Sequence, residues 1–215
     1  MSDRTPFSSG LDLTLDRDLG ERLGLDAYRS DFQRYKEAIT GRAGWKFERR
    51  QHFQELNSPS WEAFRRGDYD EALRLAVKRG EHWREVARED KERDSVFHRV
   101  RVVEEPLTPY LWWELHSLRV QAESGMPVRV VGAGALEPWE GRGMLPEVVT
   151  LGGDVLYEVV YTDAGLLDGC VRFTGPELVG RWERFIEHLY ADGEDVMSYT
   201  DRCLGPRPAS RTTEE

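Results

Sequence analysis

The chain has 215 residues and a formal net charge of −10 at pH 7, and charged residues make up 33% of it. Its content of 39% hydrophobic and 11% aromatic residues is enough to bury a core in one domain. The acidic balance argues against non-specific binding to nucleic acid or to an anionic membrane, because both need a concentrated positive face. A nucleic-acid partner is therefore not expected, even through the local basic group Arg42, Lys46, Arg49 and Arg50.

The chain carries no recognisable membrane or export signal. No apolar run reaches the roughly 20 residues of a membrane span. The first ten residues, MSDRTPFSSG, lack a hydrophobic signal core. The two cysteines, Cys170 and Cys203, fit a reducing compartment and need not pair. These features predict a cytoplasmic protein that does not bind membranes.

Composition also divides the chain. Residues 1–20 and 205–215 are rich in small and polar residues, and we expect a flexible N-terminus and a disordered tail there. Residues 21–204 are expected to form a single α/β domain. Its first part, 21–93, is mainly helical, and its second part, 94–204, carries the sheet.

In the first part, apolar residues at helical spacing predict a helix over 26–40. The stretch "WKFERRQHF" then alternates apolar and polar residues, which indicates a short strand or extended segment. Ser58-Pro59 is a typical helix start, and Gly67 ends that short helix. One longer helix is expected from Asp68 to the charged run "REDKERD", continuing past Gly80.

The centre of the chain predicts a strand, a helix and a second strand. "VFHRVRVVE" alternates with period two, and Thr108 and Pro109 suit the cap and first turn of a helix over 109–124. Gly125 ends this helix, and "PVRVV" follows as a strand. A crossover of this length joins parallel strands with a right-handed connection.

The last part predicts an antiparallel meander and two helices. "EVVTL", "DVLYEVVYT" and "LDGCVRFT" are separated by glycine-containing turns, and a helix starts at Thr174-Gly175-Pro176. A short helix is expected over "EDVMSYTDRCL". The predicted fold is α/β (α+β): a mixed sheet of about five strands with a βαβ crossover, a C-terminal meander and flanking helices.

The most unusual stretch, "RVRVVEEPLTPYLWWELHSL", contains the main candidate site. Arg99 and Arg101 share a strand face, and we expect Arg129 on the neighbouring strand to lie beside them. Guanidinium groups on a sheet cannot be buried unpaired without a large cost, so carboxylates such as Glu105 and Glu114 or an anionic ligand must reach them. The sequence leaves open whether this is a structural ion network or a pocket for a carboxylate or phosphate.

The helix over 109–124 raises a second alternative. Leu111, Leu115 and Leu118 form its core stripe, whereas Trp113 and His116 lie nearly opposite. Trp113 is then either buried under the N-terminal helices or exposed as an anchor for a partner. His116 is either an acid–base group near Glu114 or a histidine at a packing boundary.

Two common motifs are incomplete. "VVGAGALEP" has Gly132-Ala133-Gly134 after a strand, but a dinucleotide-binding loop needs a third glycine and an immediate helix. No two of the five histidines lie three or four residues apart on one helix. We therefore expect neither a cofactor nor a metal ion.

The segments "WKFERRQHFQE", "RVRVVEEPLTPYLWWELHSL", "MPVRVV" and "LPEVVTLGGDVLYEVVYTDAG" resemble an actinobacterial family of domains of unknown function, over roughly residues 40–200. Members of that family are often encoded beside helix-turn-helix regulators, so the resemblance implies such a gene neighbour. It implies no established activity. The positions of this chain that match the family's sequence pattern are Arg49, Arg99, Arg101, Glu105, Pro106, Thr108, Tyr110, Glu114 and Arg129. The order of elements is also similar to half of a phospholipase-D-like domain, although "VLYEVVYT" lacks the His and Lys of that chemistry.

Two functions follow as hypotheses. The first is a non-catalytic regulatory or protein-interaction domain, acting with a protein partner such as a helix-turn-helix regulator. The alternative is an enzyme or binding protein with an Arg/Glu/His pocket for an anionic small molecule. The candidate residues are Arg49, Arg99, Arg101, Glu105, Tyr110, Trp113, Glu114, His116 and Arg129.

Overall fold

The structure is a computed structural model that describes residues 11–204. Within this range the helices are α1 (Leu25–Ala38), α2 (Pro59–Arg65), α3 (Tyr69–Lys78), α4 (Gly80–Glu92), α5 (Pro109–Glu123), α6 (Pro176–Asp192) and α7 (Val196–Cys203). The strands are β1 (Glu21–Leu23), β2 (Ala43–Glu48), β3 (Val96–Val103), β4 (Val128–Gly132), β5 (Val148–Leu151), β6 (Val155–Tyr161), β7 (Leu167–Phe173) and β8 (Glu194–Asp195). Short 3₁₀ turns cover Arg17–Leu19 and Ala133–Leu136.

The strands form one mixed sheet in the order β1-β7-β6-β5-β2-β3-β4-β8. β2, β3 and β4 are parallel to one another, and the remaining pairs are antiparallel. The strands on either side of α5 are therefore parallel, as predicted. The expected strand number of about five was too low, because the two short edge strands β1 and β8 have no clear pattern of their own. β2 comes from the part expected to be mainly helical, yet it lies in the middle of the sheet.

The predicted long helix after Asp68 is two helices. Arg79 closes α3 and opens α4, and Gly80 is buried at the first position of α4. A Cβ atom on Gly80 would lie 3.3 Å from a methyl group of Val120, so the glycine lets α4 approach α5 closely. The apolar residues on both sides of Gly80 follow one helical period, which is why the sequence gives no sign of the break.

The two faces of the sheet differ in character. On one face, side chains such as Phe47 and Val100 pack against Trp182 and Phe185 of α6 in a large apolar core. The other face, here called the crossover face, is packed against α1 and against the helices that connect the parallel strands. It carries the charged side chains of the central strands: Lys46 and Glu48 on β2, and Arg99 and Arg101 on β3.

The predicted flexible N-terminus, residues 1–20, is described only in its second half. There Leu13 is buried in the core beside α6, and Arg17 forms an ion pair with Glu158 of β6. Residues 11–20 are therefore attached to the sheet. The predicted tail, 205–215, lies outside the described residues.

Candidate functional site

The crossover face holds a buried ion pair at its centre. Arg101 is fully buried, and its Nε donates to Glu114 Oε2 at 2.7 Å. Its Nη1 donates to the backbone carbonyl groups of Val102 and Glu48. Burial raises the pKa of Glu114, while the charge of Arg101 opposes this effect. For Arg101, the expected structural ion network is thus what the structure contains.

A second cluster lies beside this pair and reaches solvent. The register of β2 and β3 places Lys46 opposite Arg99 and Glu48 opposite Arg101. The buried carboxylate of Glu48 forms an ion pair with Lys46 Nζ at 2.5 Å and accepts a hydrogen bond from Arg99 Nη1 at 3.2 Å. Burial alone would raise the pKa of Glu48, but Arg99 and Lys46 outweigh it and lower the pKa to about 2. Two cations therefore share one carboxylate, which leaves an excess positive charge on this part of the face.

This charge lines a cleft of about 530 Å³, here called the polar cleft. Its floor is formed by Lys46, Glu48 and Arg99, and one wall comes from α5 through Glu114 and Ser117. The opposite rim comes from the end of α3 and the start of α4. Its polar and aromatic residues are Lys78, Arg79 and Trp83.

The lining of the polar cleft is more basic than the chain as a whole. Four lysine and arginine residues face three glutamates in it, and one of those, Glu114, is already paired with the buried Arg101. The chain carries a net charge of −10. A positive cleft in an acidic protein concentrates the field where an anion would bind.

Glu147 is a further buried carboxyl group on this side of the sheet. It precedes β5, is 3% exposed, and accepts hydrogen bonds from the backbone N–H groups of Arg49 and Arg50 at 2.7–3.1 Å. Burial, assisted by the charge of Glu48, raises the pKa of Glu147 to about 7. With this pKa, the carboxyl group of Glu147 changes charge near neutral pH.

The aromatic candidates on α5 are buried. Trp113 lies under α2, and its indole N–H donates to Ser60 Oγ at 2.8 Å. Tyr110 is 1% exposed, donates to Glu55 Oε1 at 2.9 Å, and has a pKa raised by burial. The first alternative for Trp113, burial under the N-terminal helices, is therefore the one observed, and an exposed anchor is not.

His116 lies on another side of α5. Its ring packs on Trp112, and its Nδ1 lies 2.8 Å from the carbonyl oxygen of Trp112, so this nitrogen carries the hydrogen. Burial lowers the pKa of His116. Among the described residues, those that line the polar cleft do not include His116. It is a histidine at a packing boundary.

Two candidates lie at the carboxyl ends of the parallel strands. Arg49 is buried and bound by Glu140 through Nε and Nη2 and by Glu104 through Nη1, at 2.6–3.1 Å. Glu105 accepts from the hydroxyl group of Tyr199 at 3.4 Å. Neither side chain lines the polar cleft in the part of the chain that the structure describes.

The expectation that Arg129 joins Arg99 and Arg101 was wrong. The parallel register pairs Arg129 with Val100, so its side chain points to the α6 face, opposite to both arginines of β3. There its guanidinium carbon lies 5.4 Å from the ring centroid of Tyr190 on α6. The predicted three-arginine group is therefore divided between the two faces of the sheet.

Most residues that line the polar cleft were not among the candidates, and these include Lys46, Glu48, Arg79 and Trp83. The alternation in "WKFERRQHF" places Lys46 and Glu48 on one strand face, but it does not indicate which strand lies beside it. Within residues 11–204, no group of three or more His, Cys, Asp or Glu side chains could hold a metal ion. In the same range no helix combines the length and apolar character needed to cross a membrane.

A comparison with family models matches residues 30–201 to the family described as "Domain of unknown function (DUF6879)". This confirms the resemblance to a family of domains of unknown function. Searches of curated proteins and of solved structures found no match to the chain.

Proposed function

We propose that this chain, which belongs to the DUF6879 family of domains of unknown function, binds a small anionic molecule. The binding site is the polar cleft. The ligand group is a carboxylate or a phosphate. The observation that carries the proposal is the pairing of Lys46 and Arg99 with a single buried carboxylate, Glu48, at the floor of an open cleft. An arginine that faces such a cleft is suited to bidentate binding of carboxylate and phosphate.

The arrangement favours binding over catalysis. An acid–base role needs a titratable group within reach of a ligand on the floor of the cleft. Each of the three glutamates that line the cleft already has a partner. Glu48 is paired with Lys46 and Arg99, Glu55 accepts from the hydroxyl group of Tyr110, and Glu114 is paired with Arg101. His116 packs on Trp112. The proposal therefore follows the alternative hypothesis, a binding protein for an anionic small molecule, without a catalytic role. The regulatory role and the protein partner of the first hypothesis remain predictions.

Interaction with a helix-turn-helix regulator and an actinobacterial origin remain predictions that rest on the family resemblance. The distant similarity to a phospholipase-D-like domain, which rests on the order of the elements, also remains a prediction. The burial of Trp113 removes the one exposed anchor suggested for such an interface. The cytoplasmic location also remains a prediction, and the free thiol groups of Cys170 and Cys203 support it.

The test uses inorganic phosphate and acetate as probes, titrated calorimetrically at constant ionic strength. Arg99→Met removes a charge-assisted contact and is expected to weaken binding of the preferred anion on the order of tenfold. Arg99→Lys should retain part of the affinity, because it keeps the charge. The matched control is Arg74→Met, which removes an exposed arginine paired with Glu71 outside the cleft.

Equal loss of binding in Arg99→Met and Arg74→Met would mean that the anions respond to net charge and would contradict the proposal. Thermal unfolding of each variant shows whether the fold is intact. Because Arg99 also neutralises Glu48, the rim variant Arg79→Met gives a second measurement that does not disturb the buried cluster.

A further inference from the structure

A second cleft adjoins the polar cleft on the crossover face. It has a volume of about 490 Å³ and lies between α1 and α4. Lys46, Trp83 and Arg99 line both clefts, so the two spaces meet at the cationic floor. An anion held by Lys46 and Arg99 thus stands at the entrance to a second compartment.

The wall of this second compartment, here called the apolar cleft, is largely hydrophobic. Phe32 of α1 and Phe97 of β3 pack edge to face at 6.4 Å, and Val86 of α4 closes the side opposite α1. The apolar lining also includes Tyr28, Met126, Val149, Val159, Tyr161 and Leu167. Such walls bind aromatic or aliphatic groups, whereas the polar cleft is lined mainly by charged and hydroxyl-bearing side chains.

The charges of the apolar cleft all have one sign. Its described lining includes Arg29, Lys36, Lys46 and Arg99 but no aspartate or glutamate. The positive charge of Lys36 is partly neutralised by Asp90, which lies outside the lining: Lys36 Nζ is 3.6 Å from a carboxylate oxygen of Asp90. A hydrophobic space with cationic side chains at its margin is complementary to a molecule with one anionic end and one apolar end.

We infer that the ligand is an amphipathic anion, whose carboxylate or phosphate group binds Lys46 and Arg99 while its apolar part lies against Phe97 and Trp83 in the apolar cleft. This inference rests on the proposed function, since it takes the same two cations as the anion site. It adds the chemical class of the rest of the molecule. The side chain of Trp83, which lines both clefts, lies where the anionic and apolar parts would join.

The experiment compares two matched pairs of probes by calorimetry: inorganic phosphate with 1-naphthyl phosphate, and acetate with 1-naphthylacetate. For at least one pair, the naphthyl anion is expected to bind about tenfold or more tightly than its short counterpart, since it buries additional apolar surface. Uncharged 1-naphthol provides the third arm. Because 1-naphthol has no anionic group, Arg99→Met should reduce binding of the naphthyl anion by a larger factor than binding of 1-naphthol.

Val86→Trp fills the apolar cleft from α4, and the control Glu85→Trp adds the same side chain at an exposed position of the same helix. Val86→Trp should lower the affinity for the naphthyl anion to that for the short anion. Glu85→Trp should leave the difference in affinity between the two anions unchanged. Circular dichroism and thermal unfolding confirm that both variants are folded.

The outcomes separate the two claims. If short and naphthyl anions bind the wild-type protein equally, the inference of an amphipathic ligand is overturned and the anion site stands. If none of the four anions binds, the anion site itself fails. If 1-naphthol binds as tightly as the naphthyl anions, the apolar cleft acts without the cations, and the amphipathic assignment is again overturned.

Discussion

At the scale of single residues, Glu147 couples the stability of the crossover face to pH. Its pKa is raised from the ordinary value of 4.5 to about 7 by burial and by Glu48. Between these two pH values the unfolded chain has released this proton while the folded chain retains it. The contribution of Glu147 to the free energy of unfolding therefore falls as pH rises from about 4.5 to about 7.

We predict that Glu147→Gln removes this pH dependence. Relative to the wild type, the variant should gain stability from pH 5 to pH 8 by up to about 3 kcal/mol, an upper value set by the pKa difference. Urea unfolding at the two pH values measures the effect. Glu177→Gln, at an exposed position of α6, is the control for loss of a carboxylate. A difference between Glu147→Gln and wild type that stays constant with pH would refute the prediction.

Arg129 and Lys46 show at the same scale where residue patterns reach their limit. Alternation within a strand correctly put Arg99 and Arg101 on one face. The face of Arg129 depends on the register between β3 and β4, and a shift by one residue would reverse it. The position of Lys46 beside Arg99 depends on β2 being the neighbour of β3, and local periodicity contains no information on this.

At the scale of elements, the contact between β2 and β3 depends on a missing side chain. Gly44 of β2 lies beside Phe97 of β3, and a Cβ atom on Gly44 would be 2.5 Å from the Phe97 ring. Phe97 also packs on Phe32 of α1 and lines the apolar cleft. The glycine thus allows an aromatic ring to occupy the space between two central strands and a helix.

Gly44→Ala is predicted to destabilise the protein by about 1–3 kcal/mol, because the ring has to shift within a packed region. The matched control is Gly132→Ala at the end of β4, where an added Cβ atom meets no other atom within 4 Å. Chemical denaturation of both variants gives the comparison. Similar midpoints for the two would show that Phe97 moves aside at little cost.

The elements themselves were predicted well where a long periodic pattern was bounded by caps. α5 begins at Pro109 with Thr108 accepting from the backbone N–H of Leu111, as the sequence predicts. The failures are β1, β8 and the break at Gly80. These follow from tertiary pairing and close packing of helices, which act on segments too short or too regular to be distinguished by pattern alone.

At the scale of the whole molecule, the N-terminal segment belongs to the core. Leu13 is 6% exposed within the cluster around α6, whereas Leu19 is 82% exposed. Leu13→Ala is expected to cost about 2–4 kcal/mol in the free energy of unfolding. Leu19→Ala should change it by less than about 0.5 kcal/mol. If thermal and urea unfolding gave equal effects for the two, residues 11–20 would not be part of the folded unit.

The arrangement of helices has a consequence for how the chain folds during its synthesis. The connections through α2–α4 and through α5 pack on the crossover face, and α6 covers the centre of the other face. During synthesis, β2 to β7 are complete before residue 176, while the surface around Phe47 and Val148 still lacks its helix. At that stage the nascent chain is expected to expose an apolar, aggregation-prone sheet surface of the kind that chaperones bind. The exposure ends when residues 176–192 have left the ribosome and α6 can pack on the sheet.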